Sequence, residues 1–395
     1  MVLLKTYLCL TAAAVAYASS SCTSVPTYSQ KDIDSGAALA SLNAIALKNV
    51  QKNYAGSCNA RNVKVRQEWR TLSKAQRKQF IAAVKCTQKA PSAVAPGTIP
   101  GIHSQYDDFT YVHINQTNKI HLTGSFLTWH RYFISVYEQK LHACGYTGNL
   151  PYWEWGLDVN SLRDSPVFDG SDTSLGSDGA YFKHEGIHIP TPQPGVTVDL
   201  GPGTGGGCVF KGPFKDLVVT LGPVNLPIYG SYNATSAANP FADNPRCLKR
   251  DLNVESLQRF STFRNTTELI LYQKTIEWFQ GTMQGEPPYL APSLGVHGGG
   301  HNAIGGDPGS DPSTSPGDPS FYLHHAQVDR VYWIWQNLDW TNRQSIFGPV
   351  NLLNYPPGPN TTLEDYIPME PLGKPVQIKS VINTVGGAPL CYVYI

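Results

Sequence analysis

The distribution of histidine constrains this chain more than any other feature of its sequence. Seven of its eleven histidines fall in two short clusters. The first cluster places His113, His121 and His130 within eighteen residues. Because a helix turns once in about 3.6 residues, spacings of eight and nine do not bring three rings together on one straight helix. We therefore predict a helix carrying His113, a break at Gly124 and a second helix carrying His130.

The second cluster comprises His297, His301, His324 and His325. His297 and His301 are four residues apart, so on a helix they share one face and can bind one metal ion. A third imidazole would complete a three-histidine site. A single inward histidine is more often a hydrogen-bonded core residue, but two clusters in one chain favour metal binding.

The identity of the metal is left open by the spacing alone. Three-histidine sites also occur in zinc hydrolases. Imidazole ligands suit copper as well, and an all-nitrogen site keeps positions open for a small bridging molecule. The motifs contain no bridging carboxylate, which argues against the zinc alternative.

The complete pattern of these motifs resembles one known family. It reads H-x7-H-x8-H with WHR at the last histidine, then HxxxH, then DPxFxxHHxxVDR. It is similar to the type-3 dicopper oxidase family, and most similar to the short fungal tyrosinases and catechol oxidases, which are polyphenol oxidases. The resemblance covers nearly the whole chain after its first residues.

The resemblance implies two copper ions and assigns their ligands. His113, His121 and His130 would bind the first copper, CuA, and the second, CuB, would be bound by His297, His301 and His325. The choice of His325 over His324 follows the family, whose ligand stands four residues before the helix aspartate, here Asp329. We expect Asp329 to orient the metal-binding ring from outside the ligand shell, and His324 to be a packing or pocket-lining residue.

The implied reaction is the oxidation of o-diphenols (catechols) to o-quinones with O2, together with weaker hydroxylation of monophenols. Gly298 stands where strong monophenolases of the family often carry an asparagine that helps a water molecule deprotonate the phenol. Asn302 and Glu286 are the remaining pocket candidates for that role. Alternatives are an o-aminophenol oxidase, an enzyme dedicated to one phenolic intermediate of a biosynthesis, and, less favoured, an O2 carrier like haemocyanin.

The fold predicted from these segments is mainly α, with a four-helix bundle that holds the dinuclear site. The stretch from Asp158 to about Asn244 is rich in Gly, Pro, Ser and Asp, which predicts long loops. A few short strands are expected towards the C-terminus. Residues 19–395 are predicted to form one catalytic domain.

Three local predictions concern the packing elements. Gly36 to Asn53 and Arg61 to Leu72 show helical spacing, and Ser73-Lys-Ala-Gln76 is a capping box that begins a further helix. Arg66 and Arg70 are more often solvated than functional, but the family resemblance pairs an arginine of this region with a Tyr-x-Tyr motif, here Tyr392-Val-Tyr394.

The N-terminal residues indicate export. Residues 1–18 contain a lysine, an apolar run and an Ala-Tyr-Ala site, which is typical of a secretory signal peptide. Loss of Cys9 with this peptide would leave seven cysteines, and Cys58–Cys86 is the predicted bridge among them. Glycosylation sequons occur at Asn115, Asn233, Asn265 and Asn360. Asn115 lies close to a proposed ligand and is the doubtful acceptor.

The charge of the chain limits its partners. Lys+Arg 30 against Asp+Glu 29 gives a net charge of +1, and no basic stripe is present. A nucleic-acid partner is therefore not expected. No later segment is apolar enough for a membrane span, and the sequence does not indicate an oligomeric state. The expected partners are a phenolic substrate and O2.

Overall fold

Helices form most of the regular structure. The computed structural model describes residues 26–191, 193–230, 234–286 and 292–395. Its α-helices are α1 (Gln30–Ser35), α2 (Ala37–Val50), α3 (Lys74–Thr87), α4 (Gln105–Ile120), α5 (Phe126–Ala143), α6 (Val254–Phe260), α7 (Phe263–Tyr272), α8 (Ile276–Gln284), α9 (Gly295–Ile304) and α10 (Ser320–Leu338). The predicted mainly α fold is confirmed. None of the helices in the described ranges has both the length and the apolar character that crossing a bilayer requires.

The strands are short and pair two by two. They are β1 (Lys64–Arg66), β2 (Gly179–Tyr181), β3 (Ile187–Pro190), β4 (Thr197–Leu200), β5 (Gly206–Val209), β6 (Val218–Val219), β7 (Leu226–Pro227), β8 (Ala234–Thr235), β9 (Arg246–Cys247), β10 (Tyr366–Ile367), β11 (Val376–Gln377) and β12 (Tyr392–Tyr394). β1 pairs with β12 in parallel, and the other pairs are antiparallel. The predicted loop region therefore contains small hairpins.

The bundle around the histidines is built by α4, α5, α9 and α10. α4 packs on α5, and α10 packs on both α5 and α9. The face of α5 that includes Phe126, Phe133 and Tyr137 is buried. Ser104 begins α4 as its N-cap, accepting a hydrogen bond from the backbone N–H of Asp107. One hydrophobic cluster extends from α2 to β12 through these helices.

The local predictions outside the site had mixed outcomes. The first helical segment is confirmed as α2 followed by a 3-10 turn, and the Ser73 capping box is present. The helix predicted from Arg61 to Leu72 is wrong: this stretch contains β1 and a 3-10 helix at Trp69–Thr71. The β-branched Val65 suits a strand, and the partner of that strand is β12 at the far end of the sequence.

The predicted Cys58–Cys86 bridge is also wrong. Cys58 pairs with Cys391, Cys86 with Cys144, and Cys208 with Cys247. Cys391 directly precedes β12, and the parallel pairing of β1 with β12 brings this end of the chain to the segment that follows α2. Such neighbours are set by tertiary structure, which cysteine spacing does not reveal.

The predicted export signals stay predictions. The signal peptide at 1–18 and the sequon at Asn233 lie outside the described residues. Asn115 and Asn360 are exposed. The side-chain oxygen of Asn265 instead accepts hydrogen bonds from the backbone N–H and hydroxyl of Thr262 in a capping box at the start of α7.

Candidate metal centre

The first histidine cluster converges at one point in the bundle. His113 lies on α4, His121 directly follows it, and His130 lies on α5. One ring nitrogen from each lies within 4.8 Å of the others, and all three residues are buried. The reversal that this needs is made at Leu122, whose φ of +50° is unusual for a residue with a side chain. The predicted helix, break and helix are confirmed.

Backbone carbonyls fix the orientation of these three rings. The Nδ1 of His113 lies 2.8 Å from the carbonyl oxygen of Ser313, that of His121 3.1 Å from Thr117, and that of His130 2.8 Å from Phe126. A carbonyl only accepts, so each Nδ1 carries the proton and donates it. Each Nε2 then keeps a free lone pair, which is the arrangement that a metal-binding histidine needs.

The second cluster is assembled by α9 and α10. His297 and His301 lie on one face of α9, and His324 and His325 lie on α10. Nitrogens of these four residues lie within 4.8 Å of one another, and the residues are buried. The predicted HxxxH helix is confirmed. Because both His324 and His325 lie close to this helix, their hydrogen bonds must decide which of them is the ligand.

Hydrogen bonding separates His324 from His325. Trp155 Nε1–H donates to His324 Nδ1 at 3.2 Å. A neutral His324 therefore carries its proton on Nε2, which cannot then bind a metal. His325 Nε2 lies 3.1 Å from His301 Nε2, and the His325 ring stacks on that of His130 at 4.4 Å between centroids. His325 thus lies between the clusters, as expected of the ligand.

Close packing explains one glycine of the HGGGH segment. A Cβ on Gly300 would lie 2.3 Å from His324 Cε1 and 3.2 Å from Trp155 Nε1. Any side chain at this position would therefore displace His324 from its hydrogen bond with Trp155.

Burial keeps the imidazoles neutral. It lowers the pKa of His121 to about 4 and that of His301 to about 3. Burial is also the largest cause of the lowered pKa of His113, His130, His297 and His325, which falls well below the ordinary value. All of these rings are therefore unprotonated bases at neutral pH, which is the state that binds a metal.

Ring nitrogens face each other at short distance in both clusters. His113 Nε2 and His130 Nε2 are 3.4 Å apart, and His301 Nε2 and His325 Nε2 are 3.1 Å apart. The first two nitrogens and that of His301 keep their lone pairs, because each Nδ1 donates to a carbonyl. In the first cluster the opposed lone pairs of His113 and His130 repel each other unless a cation lies among them. In the second cluster the lone pair of His301 points at the ring nitrogen of His325. The residues therefore fit a metal ion in each cluster.

The two clusters adjoin. The rings of His121 and His297 are 6.0 Å apart between centroids, and those of His130 and His325 are 4.4 Å apart. Two adjacent sites with imidazole donors and no carboxylate in either group match the ligand preference of copper more closely than that of a hydrolytic zinc pair. The bundle and its donor set are those that the resemblance to the type-3 dicopper family implies.

Comparison with known proteins gives the family. Residues 103–338 match the family described as the common central domain of tyrosinase. Tyrosinase P of Aspergillus terreus is 38% identical over 333 residues, which are 84% of this chain and 91% of that protein. The chain belongs to the tyrosinase family, and its cofactor is a dinuclear copper centre.

Two further similarities extend over most of the chain. N-acetyl-6-hydroxytryptophan oxidase of Emericella nidulans is 36% identical over 375 residues, covering 92% of this chain and 99% of that protein. The structure of a mutant polyphenol oxidase from Thermothelomyces thermophila has a TM-score of 0.85 at 36% identity, covering 92% of this chain and 100% of that one. The chain is thus a tyrosinase-type copper oxidase.

The predicted role of Asp329 is wrong. Its carboxylate accepts hydrogen bonds from Arg131 Nε and from the hydroxyls of Tyr392 and Tyr394, each at 2.6 Å. The carboxylate therefore holds the C-terminal strand to α5 and α10 and does not orient His325. Arg66 stacks on the ring of Tyr392 at 3.6 Å, so the predicted pairing of this arginine with the Tyr-x-Tyr motif is confirmed.

A cavity of about 400 Å³ opens above the histidines. His121, His297 and His301 form part of its lining, and Gly298 and Asn302 line it as predicted. Glu286 does not: it lies in a separate small cavity of about 30 Å³. Gln284 lines the main cavity instead, with its side-chain oxygen accepting the Leu122 N–H at 2.9 Å. The sequence signal for the placement of Gln284 in the cavity lining is its position in the last turn of α8, shortly before the second histidine cluster.

Glu286 gives a pH-dependent stability prediction. Burial, followed by the charge of Glu277, raises the pKa of this carboxyl to about 7. The folded protein holds the Glu286 proton more tightly than the unfolded chain does, so protonation of Glu286 favours the folded state. This contribution to the free energy of unfolding is complete below the ordinary pKa near 4.5 and is lost as the pH rises through 7. We expect Glu286→Gln to raise the melting temperature at pH 8 but not at pH 4.5.

Thermal unfolding of the unaltered protein and of Glu286→Gln, each at pH 4.5 and at pH 8, measures this effect. Glu364, whose side chain is 67% exposed, supplies the control Glu364→Gln. An equal gain at both pH values for Glu286→Gln, or a gain that the control reproduces, would contradict the interpretation.

Proposed function

We propose that this protein oxidises o-diphenols to o-quinones with O2 and hydroxylates monophenols more slowly. The observation that carries the proposal is the cavity above the two clusters, where Gly298 leaves space beside His297 and no carboxylate is found among the described lining residues. Two o-diphenols and one O2 give two o-quinones and two waters. The dinuclear copper centre, when bound, supplies the redox chemistry of this exchange.

We propose His113, His121 and His130 as the ligands of one copper and His297, His301 and His325 as those of the other. The protein orients these rings before any metal or substrate binds, because carbonyls hold His113, His121 and His130 through Nδ1. Such preorganisation lowers the reorganisation needed during the reaction. The surrounding aromatic residues Phe126, Phe133 and Phe321 exclude bulk water from the rings.

Hydroxylating a monophenol requires removal of a phenol proton whose pKa is about 10. Asn302 donates one amide N–H to the carbonyl of Gly298 at 2.9 Å, and an amide accepts no proton at neutral pH. Its Oδ1 is free of protein partners. Gln284 is an amide and accepts no proton at neutral pH. The cavity therefore supports diphenol oxidation better than monophenol hydroxylation.

Initial rates on a matched pair of substrates test the proposal. We expect kcat/KM for 4-methylcatechol to exceed that for 4-methylphenol by about 100-fold, the contribution typical of a positioned proton acceptor. In Gly298→Asn the added amide can hold a water above the histidines, and the ratio should fall. A Cβ at Gly298 would lie 3.1 Å from Leu294 Cβ, so Leu294 must shift by a few tenths of an ångström to accept the substitution. Equal rates on the two substrates in the unaltered protein would contradict the proposal.

A second candidate is an oxidase for o-aminophenols or for one biosynthetic intermediate. It is supported by the similarity to N-acetyl-6-hydroxytryptophan oxidase, which extends over 92% of this chain. The same assay with o-aminophenol separates the candidates. A higher kcat/KM for o-aminophenol than for 4-methylcatechol would favour the second, and absence of turnover on every substrate would leave the O2-carrier alternative.

A further inference from the structure

The described side chains that line the cavity above the histidines are uncharged at neutral pH. Among the described residues that line it there is no lysine, arginine, aspartate or glutamate. A charged group on a ring substituent would lose water against these side chains without gaining an ionic partner among them, which is costly.

Much of the cavity lining is aliphatic. Its described apolar residues are Leu122, Ile189, Pro190, Pro227, Leu294, Pro312, Leu352 and Leu353. A volume of about 400 Å³ falls in the range of roughly 300–1,000 Å³ that accommodates drug-sized ligands. The space therefore exceeds what a single unsubstituted ring fills, and the remainder lies against aliphatic side chains.

Leu353 occupies a special backbone position in this lining. Its φ of +50° and ψ of +28° are left-handed, and Asn354 follows with a φ of +58°. Leucine pays about 1 kcal/mol or more for this conformation, and such residues cluster at functional sites. Leu353 is nevertheless 43% exposed, so burial in the core does not account for its presence.

Hydrogen bonds hold this turn in place. The N–H of Asn354 donates to the carbonyl of Asn351 at 2.8 Å, and that of Gly358 to Asn354 Oδ1 at 2.9 Å. The base of the loop is tied to the break between α4 and α5, where Gly124 N–H donates to the Pro349 carbonyl at 3.0 Å. The loop is therefore fixed to the segment that carries His121.

We propose that Leu353 is a specificity-determining residue and that the preferred substrate is an o-diphenol whose ring carries an uncharged, apolar substituent. This rests on the proposed function and states its substrate class more narrowly. The diphenol lies at the histidines, and the substituent packs against Leu353 and its neighbours at the mouth of the cavity. Catechols with an ammonium or a carboxylate on the substituent are poor substrates.

Steady-state rates on four catechols test the substrate class. They are catechol, 4-tert-butylcatechol, dopamine and 3,4-dihydroxyphenylacetate. We expect kcat/KM for 4-tert-butylcatechol to exceed that for either charged catechol by at least about tenfold, the scale of hydrophobic-pocket discrimination. If all catechols are oxidised at similar kcat/KM, this inference fails and the proposed function stands. If none is oxidised, the proposed function itself fails.

Two variants test the role of Leu353. Leu353→Gly relieves the left-handed strain and removes the wall, so the kcat/KM ratio of 4-tert-butylcatechol to catechol should fall about tenfold, mainly through KM. Leu353→Asp places a carboxylate at the mouth, and the ratio of dopamine to 4-tert-butylcatechol should rise. A damaged fold does not produce this second change. Asn354→Gly is the matched control, because it frees the same turn without changing the cavity wall.

Unchanged ratios in both Leu353 variants would overturn the assignment. A fall in the Asn354→Gly control equal to that in Leu353→Gly would also overturn it, because loop rigidity and not the leucine side chain would then determine the preference.

Discussion

Replacing His325 with alanine is expected to lower the copper content from two ions per chain to about one and to reduce diphenol oxidation by more than about 100-fold. Loss of a partner that merely orients a metal ligand costs roughly 10–100-fold, so loss of the ligand itself costs more. His325 Nε2 faces His301 Nε2 at 3.1 Å, and its removal leaves the second site with two imidazoles. Elemental analysis of purified protein, together with initial rates, measures both effects.

The neighbouring histidine supplies the matched control. His324→Asn keeps an acceptor for the Trp155 N–H, which donates to His324 at 3.2 Å, and should retain both copper ions. The two variants change adjacent buried residues of α10, so general damage to the helix affects them alike. Loss of copper from His324→Asn and its retention in His325→Ala would reverse the ligand assignment.

Replacing Asp329 with asparagine is expected to lower the free energy of unfolding by about 3–5 kcal/mol, the cost of removing one partner of a buried ion pair. Arg131 is fully buried, and Asp329 is its ion-pair partner at 2.6 Å. The hydroxyls of Tyr392 and Tyr394 donate hydrogen bonds to the same carboxylate. The substitution therefore leaves a buried guanidinium without its counter-charge and loosens β12 from the bundle.

Chemical denaturation of the copper-free protein isolates this effect from metal binding. Asp172, whose side chain is 73% exposed in an ion pair with Lys78, supplies the control Asp172→Asn, which should leave the unfolding midpoint unchanged. An Asp329→Asn protein that unfolds at the midpoint of the unaltered protein would contradict the structural role. If it unfolded normally yet lost copper selectively from the second site, the original assignment of Asp329 as a partner of the ligand ring would be restored.

The local features of the site could be predicted from sequence because they depend on helix geometry. The pair of His297 and His301 needs only the periodicity of one helix. The break near Gly124 was indicated by the spacing of the first three histidines. By contrast, the different roles of His324 and His325 could not be read from helix geometry. They depend on Trp155, which lies far away in the sequence and donates a hydrogen bond to His324 Nδ1.

The features that failed depend on contacts between distant segments. The stretch predicted as helical after Arg61 forms β1 because it pairs with β12. The same pairing brings Cys391 next to Cys58, with which it forms a disulfide. Asp329 has the correct helical offset from His325, but the carboxylate is already engaged by Arg131 and two tyrosines. Glu286 and Gln284 are two residues apart and line different cavities. Sequence spacing contains no information on these outcomes.

The most direct test of the central claim is anomalous diffraction at the copper edge from crystals of the copper-loaded protein. We predict two copper peaks, one among His113, His121 and His130 and the other among His297, His301 and His325, with His324 still hydrogen-bonded to Trp155. A single peak, or a second peak bound by His324 in place of His325, would contradict the account.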